Sequence, residues 1–225
     1  MQFEKLNLLA YGFLYLTVVS LWLPRSWKFF ASILFLALAL TLGLLSQTLK
    51  PIALIPITLL AMLLYYSQVT TTNLLRFFSC SLILLLSIGL ASHLFPGFHN
   101  LKVIDHIYIS KNSIPYTLYL NFDKALVGVF ILGITHNLIS NKEEWIKFLK
   151  KTTLPLLGLI FIVMVLAISL GLVRFDPKLP NSLPIWFITN LLFVSVAEEA
   201  IFRGFLQKKI SLLLAKKPME IISLY

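Results

Sequence analysis

The sequence predicts an all-α fold, a polytopic bundle of about seven transmembrane helices. Three observations predict it. First, 59% of the 225 residues are hydrophobic and only 12% are charged, with a mean hydropathy of +0.91. An ordinary soluble domain is about 45–50% apolar and about 25% charged. Too few charges exist here to cover a water-facing surface, which excludes a soluble globular domain and a disordered protein. Second, the apolar residues fall in runs long enough to cross a bilayer core, for which a helix needs about 20 residues. Third, the 19 lysines and arginines, set against 9 acidic residues, sit in short clusters between those runs. A basic excess can mark nucleic-acid binding. This placement points instead to loops against anionic lipid headgroups, so membrane lipid is an expected partner and nucleic acid is not.

The expected spans follow in order. Residues 6–23 carry no charge, and Pro24, Arg25 and Lys28 end the run. No basic segment followed by a short core and a small-residue cleavage site precedes it, so it reads as a retained span and not a signal peptide. Residues 29–49 form the second span, closed by Lys50 and Pro51, and 52–69 the third. Pro56 lies near an end of the third, where a bundle tolerates it. Residues 77–95 form the fourth. The stretch 96–123 is too polar to span, with Lys102, Asp105, His106, Lys111 and Asn112. Its tyrosines suit an interface, so it reads as a long loop on the headgroups. Residues 124–140 form a short fifth span with His136 and Asn137 near its end. Residues 141–151 read as an amphipathic, lysine-bearing connector along the interface. Residues 154–173 form a sixth span and 183–206 a seventh. The tail from 207 is basic, then weakly apolar.

Seven spans put the termini on opposite sides. With the N-terminus outside, 11 cations fall on cytoplasmic segments and 7 on outer ones. That bias favours an outside N-terminus and a cytoplasmic C-terminus. No internal repeat is visible. The protein reads as one membrane domain, with spans and interfacial loops over 1–182 and a distinct motif-bearing region over 183–225. The single cysteine, Cys80, rules out an intrachain disulfide and is most simply an apolar filler.

The seventh run is chemically unusual, because Glu198, Glu199 and Arg203 lie inside an otherwise apolar segment. On insertion scales each costs about 2.5–3.5 kcal/mol at the bilayer centre. Glu198 lies 15 residues beyond Leu183, about 22 Å along a helix axis, toward the expected cytoplasmic side. Glu199 and Arg203 are four residues apart, share a helix face and can pair. Glu198 is rotated about 100° from Glu199, onto the side of Ser195 and Phe202. It gains less from the arginine and is left in an apolar setting. A carboxylate placed that way can serve as a general base toward water. The plainer reading is a helix end marked by acids, with Arg203 reaching to the interface.

The stretch Glu198-Glu199-Ala200-Ile201-Phe202-Arg203, followed by Gly204-Phe205-Leu206, resembles the Glu-Glu-x-x-x-Arg motif of the CAAX protease and bacteriocin-processing family of intramembrane proteases, which includes the CAAX prenyl endopeptidase. The resemblance covers roughly residues 183–214. It implies that Glu198 activates water against a peptide bond, that Glu199 and Arg203 support it, and that a protein or peptide is the substrate. A divalent metal such as zinc is implied by the family alone. The family pattern continues with Phe-x-x-x-His and His-x-x-x-Asn/Asp motifs on later spans. No histidine follows Arg203 here, so the expectation is a protein truncated at its C-terminal end relative to the family and not a competent protease alone. Phe95 to His99 spells Phe-x-x-x-His but precedes the acidic motif and reads as chance. His136, inside an expected span, reads first as a helix-to-helix hydrogen-bonding residue. The alternative to a peptidase is a non-catalytic membrane protein, an immunity or partner-binding protein that keeps Glu199–Arg203 as a structural pair.

Overall fold

The computed structural model describes residues 2–111, 113–136 and 138–214. Asn112, Asn137 and the tail from residue 215, with Lys216 and Lys217, lie outside the described residues. Helix α1 (Gln2–Ser20) and α2 (Arg25–Leu45) form an antiparallel pair joined across Pro24, which cannot extend α1 and starts α2. A single helical turn at Pro51–Ala53 leads into α3 (Leu54–Val69), with Pro51 in the first turn, where its missing N–H costs nothing. Helix α4 (Asn73–Ala91) packs back on α3. It ends where His93 takes a left-handed φ of 59° and the Leu94 N–H donates to the Gly89 carbonyl.

Among the described residues five helical stretches are long and apolar enough to cross a membrane: Arg25–Leu45, Pro51–Val69, Asn73–Ala91, Lys142–Ser169 and Leu183–Ser211. The first and fifth expected spans also form helices, but they fall outside this set. Glu4, Lys5 and Asn7 dilute α1. Helix α5 (Phe122–Thr135) has 14 residues, about 21 Å, short of a hydrocarbon core of about 30 Å.

Two further expectations are corrected. The stretch 96–123 is not a loop throughout. It folds into an antiparallel hairpin of β1 (Leu101–Ile107) and β2 (Tyr116–Leu120), with Leu101 opposite Leu120 and Ile107 opposite Tyr116. An isolated two-stranded hairpin is marginal. This one is held because Ile104, Leu118 and Leu120 are buried and the Leu101 N–H donates to the Tyr11 hydroxyl at 3.0 Å. The expected connector at 141–151 and the sixth span are one helix, α6 (Lys142–Ser169). Asn141 caps it by accepting the Glu144 N–H at 2.8 Å, and Glu143 and Glu144 complement its N-terminal dipole. Pro155, inside α6, does not end it.

The last helical run, 183–214, begins as α7 (Leu183–Thr189) and then winds unevenly. π-helical stretches at Asn190–Ser195 and Ala200–Gln207 flank one α-helical turn, Val196–Glu199, and the run finishes with Lys208–Leu214.

Helix α5 is the hub. Nine of its residues are buried, and it touches α1, α3, α4 and the last run. Phe122, Ala125, Leu126 and Val129 face one apolar cluster with Tyr11, Leu14 and Phe193. Val127, Ile131 and Leu132 face a second, with Leu60, Leu64, Ile83, Ile201 and Phe205.

The bundle has two distinct ends. At one, the α2–α3 link meets the segment after α4, through Lys50 N–H to Gly97 carbonyl and His99 N–H to Thr48 carbonyl, both 2.8 Å. The hairpin lies at this end. At the other, the first turn of α2 reaches the last turn of α5, where the Lys28 ammonium donates to the His136 carbonyl at 3.3 Å.

Candidate active site

The inner face of the last run is an apolar stripe. Phe193, Ala197, Ala200, Ile201 and Phe205 are buried, at helical spacing. The same winding turns Glu198, Glu199, Phe202 and Arg203 outward, where all four are exposed. Small residues set how closely this run approaches the hub. A Cβ added at Gly128 of α5 would come within 3.1 Å of the Ala197 Cα, so the two backbones are in near contact. That approach puts the first turn of α5 beside the acidic turn.

Glu199 and Arg203 pair as the sequence predicts, with Oε2 and Nε 3.0 Å apart. Glu198 does not stand alone among apolar groups, and that expectation is corrected. The Lys124 ammonium donates to its Oε1 at 2.7 Å. The lysine side chain is 14% exposed and the carboxylate side chain 49%, so the pair is anchored on its lysine side and open on its acid side. The physical reason is tertiary. Helix α5 starts at the depth of Glu198, so a lysine placed by the sequence at the outer end of a span sits instead at the acid.

Lys124 was missed by the sequence reading. A signal existed: a lysine heading an apolar run needs a partner, and the unusual run at 183–206 supplies the acids.

A second polar cluster adjoins the first along α5. Asp123, 1% exposed, accepts from the His93 ring nitrogen Nδ1 at 2.7 Å on one oxygen and from the Asn100 amide at 3.2 Å on the other. The Asn100 amide oxygen in turn accepts the Phe122 N–H at 2.9 Å. Two side chains from the loop after α4 thus satisfy the start of α5, which is why this helix can begin inside the bundle.

The remaining histidines fall elsewhere. His136 ends α5 and its ring lies against Gly204, where an added Cβ would come within 3.1 Å of Cε1, so it makes a helix-to-helix contact. Phe95 lies against Gly89, Phe98 bridges to Leu49, and the His99 backbone bonds Thr48, so the Phe95-to-His99 stretch serves the hairpin end.

Among the described residues no group of three His, Cys, Asp or Glu side chains is placed to hold a metal ion. In the acidic turn each carboxylate carries a cationic partner. Both acids accept charge-assisted bonds, and carboxylates so placed can take part in ion pairing and proton transfer.

No family model, curated protein or solved structure matches this sequence. The fold and site by themselves define a helical protein with membrane-length apolar helices and one acidic turn bound to a buried hub helix. The reading of the turn rests on its own residues.

Proposed function

We propose that this protein is a multi-pass membrane protein, with its N-terminus outside and its C-terminus cytoplasmic, and that it supplies the base of a CAAX-type intramembrane endopeptidase. Glu198 takes a proton from water as the water oxygen adds to a peptide carbonyl. The C–N bond then breaks, and the proton goes to the departing amine. Glu199 and Arg203 hold each other and orient the turn. Lys124 holds the Glu198 carboxylate in place through its 2.7 Å contact with Oε1. The observation that carries this reading is the division of labour within one turn: Glu199 is paired with Arg203 at 3.0 Å, while Glu198, held by Lys124 through Oε1, stands outside that pair on an exposed face.

A second reading, a non-catalytic partner-binding or immunity protein, is favoured by the Lys124–Glu198 contact at 2.7 Å. With both acids neutralised by cations, the turn has the ion pairs of a structural brace.

The test is cleavage of a prenylated peptide by the full-length protein in proteoliposomes. Cleavage that disappears in Glu198→Gln and survives in Lys102→Gln carries the peptidase reading, and overturns the expectation of a protein inactive alone. A protein that cleaves nothing, yet loses thermal stability in Glu198→Gln, carries the second reading.

A further inference from the structure

The end of the bundle opposite the hairpin holds a cavity of about 780 Å³, within the size range of small-ligand sites. It opens between the end of α3, the start of α4, the end of α5 and residues 204–209 of the last run. Arg76, Lys208, Lys209 and His136 line it, and among the described residues no aspartate or glutamate does. Four separate elements therefore bring cationic or neutral polar groups to one space, with no acid among the described lining residues to balance them. Self-repulsion among these cations is an energetic cost that an anion would remove.

The chemistry of the lining is more specific than charge. Arg76 is anchored, since one guanidinium nitrogen donates to the Thr70 carbonyl, which leaves its other N–H groups for a ligand. A guanidinium fork with two ammonium groups matches a phosphate, which takes one charge-assisted bond per oxygen. The walls are not wholly polar: Phe77, Cys80 and Phe205 share the lining, and Lys209 lies over the Phe205 ring with its nitrogen 5.8 Å from the centroid. A free ion would leave those apolar walls unused. An amphiphile would place its phosphate on the cations and its first methylenes on the rings. The cavity also sits where helices of membrane length end, at headgroup depth on the membrane reading.

We infer that this cavity binds a phosphate-bearing anion, the headgroup of an anionic phospholipid. The site is separate from the acidic turn and does not depend on any catalysis by Glu198. Bound there, a lipid would tie α3, α4, α5 and the last run together at the end where the described hydrogen bonds between them are sparse.

The test uses the full-length protein in a nonionic detergent, with phosphatidylglycerol, phosphatidylcholine and inorganic phosphate as separate probes, and native mass spectrometry as the readout. Phosphatidylglycerol is expected to stay bound. The variant R76Q/K208Q/K209Q should hold it at least about tenfold more weakly, since each cation near an anionic lipid adds to the attraction. The variant K102Q/K178Q, altered at the hairpin end, should bind like the wild type. Equal retention of phosphatidylcholine, or equal binding by the triple variant, overturns the proposal. Inorganic phosphate that binds as tightly and displaces the lipid overturns the lipid assignment in favour of a free anion. Should the triple variant not fold, the wild-type protein decides the matter: retention must fall as salt is raised, and retention indifferent to salt overturns the site.

Discussion

Helix α5 has 14 residues, of which nine are buried, whereas α6 has 28 and none is buried. Read by hydropathy and length, the order of importance reverses, because α6 carries the most apolar membrane-length run among the described residues and α5, at 14 residues, is too short to count as one. The two helices show what hydropathy measures. It reports the free energy of leaving water, which a helix surrounded by lipid satisfies as well as one packed in a core. Lipid tails are as apolar as leucine, so burial among other helices needs a further reason, such as close backbone approach, shape and satisfied polar groups. Helix α5 has all three: Gly128 lies on Ala197, its aromatic residue Phe122 meets Tyr11 edge-on at 5.3 Å, and Asp123 is fully bonded. No other element among the described residues packs extensively along α6.

Paired substitutions can break this contrast. The largest effect is expected from Phe122→Ala, which empties a fully buried site in contact with Tyr11. A loss of about 3–5 kcal/mol is the usual result of such a truncation. Phe161→Ala in α6, an exposed position, should change stability by no more than about 0.5 kcal/mol. Unfolding of both variants in detergent micelles measures the difference, and equal losses would show α6 to be as packed as α5.

Next come two glycines. Gly128→Ala places a methyl 3.1–3.2 Å from Ala197 backbone atoms, which cannot swing aside as a flexible side group does. About 1–3 kcal/mol should be lost. At Gly158 an added Cβ meets nothing within 4 Å, so Gly158→Ala should be neutral or stabilise by up to about 1 kcal/mol through helix propensity. Thermal midpoints that move in opposite directions sharpen the comparison; midpoints that move together dissolve it.

The smallest effect concerns how the segment after α6 is held to the hairpin. Ser110 donates to Asp176 Oδ2 at 2.7 Å, and Lys178 pairs with the same oxygen. The Lys178 bond first, then the Ser110 hydroxyl, hold this carboxyl below the ordinary carboxylate range. A depressed folded value stabilises above the unfolded value and is lost as pH falls through the folded one. The tie should therefore hold at neutral pH and loosen below about pH 4. Amide exchange at 108–110 and 174–178 across that range reports it, and Asp176→Asn should remove the pH dependence.

The last run illustrates what is legible in sequence and what is not. Its acids and arginine stand out because charge is rare in an apolar segment, and the Glu199–Arg203 pair follows from spacing alone. Glu198's partner did not follow, because Lys124 lies 74 residues away in sequence. The hairpin was equally hidden, since 96–123 mixes polar residues and tyrosines in a way that a headgroup loop and a half-buried hairpin share. The cavity behind Arg76 was hidden for the same reason: its cations come from distant segments, each of which read singly as a loop end.

Helix content, the membrane-length runs and the intrahelical ion pair were determined by the sequence itself, because each depends on composition or on neighbours within about four residues. Tertiary structure alone decided that α5 is the hub, that Glu198 is tied to Lys124, and that the cations at one end enclose a cavity. Those features come from contacts between segments far apart in the sequence. Hydropathy cannot rank such contacts in an apolar surrounding, and small residues and satisfied polar groups select among them instead.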